Sequence, residues 1–381
     1  MKKIISICLA ITLALSMTAC GAPAAKSAVQ SESQAQSLPK NLDLGTPISK
    51  NGEPAASVAA SVAASSAPTQ TADVFPVTLT DALGRSVKIE KQPQKIVSGY
   101  YITTSILIAL GLEKQVVGIE AKAKTRPIYA LAAPEMLNLP NVGSAKEFDL
   151  EGCAALKPDL VIVPVKLKDS VKAMEELGLT VLAVNPEGTE QLQETIQNIG
   201  IATGTTETAT GLIRYHMNKT QELTDLLADA KKPTVYLGGN SAFLSTAGAK
   251  MYQNALIETA GGKNVAAELA DSYWADVSYE QIIAWNPDMI VLASSAQYSV
   301  QDVLSDKNLA GVAAVKNKAV YQIPGDYEAW DSPVPSSVLG SLWLASILHG
   351  DIYTPEMFAK EATTFYHDYY GIEYKAAKKA A

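Results

Sequence analysis

The sequence predicts an α/β protein of two similar lobes, each built on a parallel sheet and joined to the other through helix. The first ground for this is a repeat. Glu151 is followed by Gly-Cys-Ala-Ala-Leu-Lys157-Pro158-Asp159-Leu-Val-Ile, and Glu280 by Gln-Ile-Ile-Ala-Trp-Asn286-Pro287-Asp288-Met-Ile-Val, so acid, proline, aspartate and apolar run recur at the same offsets. The second is the alternation of short apolar runs with segments of helical period around each copy, which is the pattern of strand-helix-strand units and a parallel sheet. The third is the stretch between the copies, residues 189 to 230, where helical period continues with no strand.

Taken in order, Lys95 to Ser98 reads as a strand, Ile102 to Leu110 as a helix stopped by Gly111, and Val116 to Ile119 as a second strand. Glu151 opens a short apolar helix. Pro158-Asp159 starts a third strand ending at Pro164, Val171 to Leu177 is a helix stopped by Gly178, and Thr180 to Val184 is a fourth strand. Thr189 to Ile201 and Thr206 to about Ala230 form the helical connector. In the second lobe Thr234 to Leu237, Asp288 to Ala293 and Ala319 to Ile323 read as strands, with helices at Met251 to Ala260, after Glu280 and over Pro335 to Leu348. Thr354 is suited to cap a last helix that has Pro355 in its first turn. The expected division is residues 74–188 for the first lobe, 189–231 for the connector, 232–350 for the second lobe and 351–381 for a final helix and tail.

The N-terminus indicates export. Met1-Lys2-Lys3 is a short basic region, and residues 4 to 15 are an apolar run too short for a stable membrane anchor, the signature of a secretory signal over residues 1–19. It ends at Leu15-Ser16-Met17-Thr18-Ala19-Cys20, which resembles a bacterial lipobox and implies that Cys20 carries the lipid. An ordinary signal with an incidental cysteine is the alternative. Residues 20–73 are mostly Ser, Ala, Gln, Pro and Thr and cannot bury enough surface to order themselves. Such a tether has an end-to-end distance on the order of 40 Å. The remaining 300 or so residues suffice for two lobes. With Cys8 removed and Cys20 lipidated, Cys153 has no disulfide partner. A net charge of −8 argues against a nucleic-acid partner.

Thr80-Asp81-Ala-Leu-Gly84-Arg85, Lys95-Ile-Val, Asn141-Val142-Gly143, the two glutamate repeats, Trp274-x-x-Val277-Ser278 and Trp330-Asp331-Ser332-Pro333 together resemble the ABC-transporter binding proteins for ferric siderophores, haem and cobalamin, over roughly residues 75 to 370. The resemblance implies two Rossmann-like lobes bridged by a single long α-helix, the class III periplasmic binding protein architecture. It also implies modest hinge motion and a solute held in the cleft for delivery to an ABC permease and its ATPase. Glu151 and Glu280 fall at the positions that dock onto permease arginines, where a carboxylate can accept a bidentate bond from a guanidinium. Stabilising a helix N-terminus is the alternative role for each. Pro158-Asp159 and Pro287-Asp288 are expected only to start strands and cap turns.

Ligand contacts are expected at strand-end loops facing the crevice. Of the adjacent Tyr100 and Tyr101, one should point inward, to stack, donate a hydrogen bond or ligate iron; core packing is the alternative. Arg126, in the basic segment Lys122-Ala-Lys124-Thr-Arg126, suits an anionic chelate. Trp274, Tyr327 and Trp330 would supply aromatic walls, with a core position the other reading for each tryptophan. His216, His349 and His367 share no cleft loop, which argues against a multi-histidine zinc or manganese site. The expectation is therefore a monomeric receptor for a metal chelate, most of all a ferric siderophore, with cobalamin, haem or a molybdate-type oxyanion as alternatives and no cofactor or bare metal site. No G-x-S-x-G, H-E-x-x-H, C-x-x-C or phosphate loop marks an enzyme. A surface adhesive or structural lipoprotein is the reading from another class.

Overall fold

The computed structural model describes residues 74–269 and 274–375. The signal, Cys20 and the tether lie outside the described residues. The described chain opens with a hairpin, β1 (Val77–Thr80) and β2 (Ser86–Ile89), followed by β3 (Ile96–Ser98), α1 (Tyr101–Ala109), β4 (Val116–Ile119), α2 (Pro127–Ala132), α3 (Leu150–Ala155), β5 (Leu160–Pro164), α4 (Lys168–Glu176) and β6 (Val181–Val184). Strands β3 to β6 form a four-stranded parallel sheet in the order β4-β3-β5-β6. Every residue of β3, β5 and β6 is buried, as a parallel sheet covered on both faces requires.

Two helices lead away, α5 (Thr189–Thr203) and α6 (Thr206–Leu226), separated at Gly204, whose φ of +73° ends α5 in a left-handed cap. The second lobe contains β7 (Thr234–Gly238), β8 (Ser245–Ala247), α7 (Tyr252–Thr259), β9 (Lys263–Asn264), β10 (Trp274–Asp276), α8 (Tyr279–Trp285), β11 (Met289–Leu292), α9 (Val300–Ser305), the single turn α10 (Ala313–Lys316), β12 (Val320–Gln322), α11 (Val338–Leu348) and α12 (Pro355–Tyr370). Its sheet runs β12-β11-β7-β9, again parallel, with β8 and β10 paired as a separate antiparallel ribbon. No helix among the described residues is long and apolar enough to cross a membrane.

The repeat is structural as well as sequential. In both copies a short helix ends in a residue at positive φ, Lys157 at 50° and Asn286 at 46°, before the Pro-Asp pair. Asp159 Oδ2 then accepts the amides of Gln94 and Lys95 at 2.9 and 3.0 Å, at the entry to β3. Asp288 Oδ2 accepts the amide and hydroxyl of Thr234 at 2.8 and 2.7 Å, at the start of β7. Each aspartate thus stitches its strand to the neighbouring central one. Burial raises both carboxyls, but hydrogen bonds outweigh it: those amides, helped by Lys91, hold Asp159 below the usual carboxylate range, and Thr234 holds Asp288 below it.

Helix α5 packs on β1 in the first lobe, whereas α6 packs on α7 and α11 of the second. The bridge is therefore α6, whose 21 residues span about 31 Å. The final helix is a second strut, because α12 lies against both α11 and α1. One apolar core continues from α1 through α6 and α11 to α12, including Ile106, Leu212, Leu342 and Phe365. The lobes consequently share buried surface over and above a hinge.

The hairpin closes one sheet edge. Ala82 donates its amide to Ala183 O at 3.0 Å, and the Ala183 amide donates to Asp81 Oδ2 at 3.1 Å. Arg85, paired with Asp81, adds a bond to Val181 O at 3.0 Å and reaches Glu175 at 2.6 Å. The turn therefore covers the open backbone of edge strand β6.

Candidate functional site

A cavity of about 1030 Å³ lies between the lobes. The first lobe lines it with Tyr101 and Ser105 of α1 and with Arg126 and Ile128 where the chain after β4 enters α2. The second contributes Ser294 and Ser295 after β11, the run Val320 to Ala329, and Trp343 and Ile347 from α11. Strand ends of both sheets thus open onto one space.

Arg126 is placed by its local chain. Lys122 adopts a left-handed conformation at φ +69°, a short turn over Ala123–Thr125 follows, and Pro127 sets the first turn of α2. This holds Arg126 at an extended junction, with its amide donating to Ala123 O at 3.0 Å. Its guanidinium carbon lies 4.1 Å from the centre of the Tyr101 ring, a cation–π contact, and its buried Nε has no hydrogen-bond partner. A buried donor without a partner is costly, and an acceptor entering the cavity would satisfy it. The neighbouring Lys122 and Lys124 are exposed and do not line the cavity. Only one cation of the basic segment enters.

Behind Arg126 stands Glu120, buried, with Thr104 Oγ1 donating to one carboxylate oxygen at 2.6 Å and Tyr129 Oη to the other at 2.8 Å. Burial raises its pKa, and the hydroxyls and Arg126 pull it back. Tyr129 also reaches Tyr101 O at 3.1 Å, fixing the start of α1. Of the two adjacent tyrosines, Tyr101 lines the cavity. Tyr100 is the N-cap of α1, packs edge to face on Tyr101 at 5.1 Å, and has its hydroxyl pKa raised first by burial and then by the charge of Tyr101.

In the second lobe Asp331, 2% exposed, takes the Ser294 amide at 3.1 Å and the Ser294 hydroxyl at 2.6 Å, so a buried carboxyl orients a rim residue. Burial raises the Asp331 pKa. Its neighbour Ser332 hydrogen-bonds Tyr101 across the lobes. Glu328 is fully buried at the cavity wall, where it accepts from Tyr370 Oη at 2.8 Å, and burial raises its pKa too.

Three aromatic expectations need correction. Trp330 is 1% exposed, donates Nε1 to Tyr366 Oη at 2.9 Å and packs on Phe358, so it belongs to the core. Trp274 is exposed on β10 with its ring over Gly239, where a Cβ would meet it at 2.8 Å, and it does not line the cavity. Tyr327 does line the cavity, but its hydroxyl is engaged by the backbone of residues 373 and 375. The aromatic wall instead comes from Tyr101, Tyr321 and Trp343. Ser294 and Ser295 follow a fully buried strand directly, and that position was a legible signal. Glu328 and Trp343 carried none, since one is an acid in a polar loop and the other sits in a uniformly apolar helix.

Glu151 and Glu280 stand on the first turns of α3 and α8, both exposed. The capping bonds are made by others: Asp149 accepts from the Gly152 amide at 2.8 Å, and Ser278 from the Gln281 amide at 3.2 Å. Gly152 is needed there, because a Cβ would lie 2.2 Å from the Asp149 carboxylate. Neither glutamate forms an ion pair with a described residue. The Glu280 carboxyl is held below its ordinary range by its own amide and by the Ser278 hydroxyl. Among the described residues no three His, Cys, Asp or Glu side chains converge as a metal site.

Two parallel-sheet lobes, a helical bridge and a cavity between the strand ends define a solute receptor of the type III binding-protein fold. The chain belongs to the periplasmic binding protein family, whose profile matches residues 96–327. It is 27% identical over 324 residues to the molybdate-binding protein MolA of Haemophilus influenzae, covering 78% of this chain and 92% of that one. It is 29% identical over 273 residues to an uncharacterised ABC transporter substrate-binding lipoprotein, YvrC, of Bacillus subtilis, covering 69% and 83%. A periplasmic solute binding protein from Veillonella parvula superimposes with a TM-score of 0.70 at 26% identity, covering 79% and 95%. The chain is therefore an extracytoplasmic, non-enzymatic solute-binding component of an ABC importer, which works with a permease and its ATPase and carries a bound solute rather than a cofactor.

Proposed function

We propose that this receptor is held at the membrane by a lipid on Cys20, acts as a monomer, and carries a metal chelate, in the first place a ferric siderophore. The observation that carries the reading is the size and lining of the cavity. Its volume of about 1030 Å³ suits a bulky solute. A tetrahedral oxyanion, with four oxygens each comparable to a water of about 30 Å³, would fill only about a tenth of it. The inward guanidinium of Arg126, backed by serine and tyrosine hydroxyls, suits the anionic oxygens of a chelate, and the wall of Tyr321, Ile323, Trp343 and Ile347 suits its apolar periphery. The likeness to MolA favours a second reading, a molybdate-type oxyanion bound at the Arg126 end alone. Glu151 and Glu280 are the acids offered to the permease.

Titration with ferric tris-catecholate, a ferric hydroxamate, haem, cobalamin and molybdate, followed by tryptophan fluorescence and melting temperature, tests the reading. Trp343 is the reporter placed at the cavity. Saturable quenching by a ferric chelate supports the proposal, response to molybdate alone replaces it with the second reading, and silence with all five overturns the assigned cargo.

A further inference from the structure

We infer that the chain after the last helix is a clamp on the cavity wall, and that Tyr327 is the positioning residue through which it acts. The inference rests on the cavity being the solute site. The wall from Pro324 to Ala329 contains no helix or strand, so its shape is set by what it touches. Three of its contacts lead to one short stretch of C-terminal chain. Tyr327 Oη accepts the Lys375 amide at 2.7 Å and donates to Glu373 O at 3.2 Å. Glu328 accepts from Tyr370 at 2.8 Å, and Trp330 donates to Tyr366 at 2.9 Å.

The aromatic packing has the same direction. The Tyr374 ring lies parallel to Tyr366, at 9° and 5.7 Å, and the Tyr327 ring rests 4.7 Å from Tyr366 and 5.2 Å from Tyr374. Gly371, at φ +64°, ends α12 and turns the chain back across this surface. The segment following it therefore lies against the loop and holds it through both ring and hydroxyl of Tyr327. The effect extends one step further, since Asp331 at the end of the loop holds Ser294 at the rim. A wall fixed before the solute arrives spares the ordering cost on binding, and its loosening is felt mainly in how fast the solute leaves.

Tyr327→Phe in the full chain removes both hydroxyl bonds and keeps the ring. Amide exchange in the free protein gives the first readout. The Ser294 and Ser332 amides, bonded to Asp331 Oδ2 and Ala329 O, should exchange faster, with amides of β3 and β5 unchanged. With ferric tris-catecholate as probe, dissociation should accelerate about five- to tenfold, the worth of one or two hydrogen bonds, with association within about twofold. Tyr374→Ala, which removes the stacked ring without touching the cavity, should reproduce both effects in weaker form. Faster exchange confined to Glu373 and Lys375, with Ser294 and Ser332 unaltered, overturns the clamp. If wild-type protein does not bind the probe, the cargo assignment fails, and the exchange result still decides the clamp.

Discussion

Arg126 is the one basic side chain lining the cavity among the described residues, and its buried Nε lacks a partner while its plane faces Tyr101. Arg126→Ala should weaken binding of the cognate solute about ten- to a hundredfold, the range for one hydrogen bond to a charged group, as read by the fluorescence titration. Arg126→Lys should recover only part of this, because an ammonium keeps the charge but loses the fork and the flat face against tyrosine. Unaltered affinity in both variants removes Arg126 from the site. His216 offers a separate test of the buried polar interior. Its Nε2 donates to Pro335 O at 2.6 Å, and burial pushes its pKa down from 6.5 to about 4 against the pull of that carbonyl. Between those values the unfolded chain binds a proton that the native chain refuses. Stability is thus fully present above pH 6.5 and lost as pH falls toward 4, by about 3 kcal/mol at 1.36 kcal/mol per unit. Denaturant unfolding of His216→Gln at pH 7 and pH 4 should show that much less pH dependence than the parent. The buried Glu120, Glu328 and Asp331, whose raised pKa values act in the opposite sense, are common to both proteins and cancel. Equal slopes would mean that His216 is protonated in the fold.

At the scale of elements, the repeat was the most legible feature of the sequence because it is written in residues with fixed backbone consequences. Helix, left-handed residue, proline, aspartate and buried strand recur in space as they do in sequence, and each aspartate was rightly expected to act at a strand start. The strands at 116–119 and 181–184 and the helices α1, α5 and α12 were likewise readable from apolar runs bounded by glycine or a capping threonine. The β8 and β10 ribbon was not, since three-residue strands leave no period to detect. The cavity was half legible. Loops after strands β3 and β4 identified Tyr101 and Arg126, but α11 is apolar all round, and nothing in such a helix tells which side faces a solute. The glutamates on α3 and α8 carry the prediction at this scale. Because Asp149 and Ser278 already cap these helices, Glu151→Ala with Glu280→Ala should leave solute affinity and melting temperature nearly unchanged while abolishing uptake of labelled solute into cells. Normal transport by the double variant would end the docking assignment.

For the whole molecule, two connections join the lobes, α6 along the bridge and α12 against α1, and one apolar core runs through both. That arrangement restricts the lobes to small relative motion, and it was only partly foreseeable: the connector was visible as an unbroken helical period, whereas the reach of α12 to the first lobe depends on tertiary packing. Location belongs to this scale as well. Cys20→Ser should shift the protein from the membrane fraction to the soluble extracytoplasmic fraction, with solute affinity unchanged; retention in the membrane fraction would show that another element anchors it.

The hairpin at the start of the described chain has a consequence for the protein before it ever meets a solute. Strand β6 ends its sheet, and an uncovered strand end-row invites pairing with the same strand of another copy. The bonds from Asp81, Ala82 and Arg85 to residues 181 and 183 occupy that row. Newly exported copies, concentrated on a surface, are thereby kept from adding to one another strand by strand, so this small ribbon guards the colloidal solubility of a crowded layer of receptors.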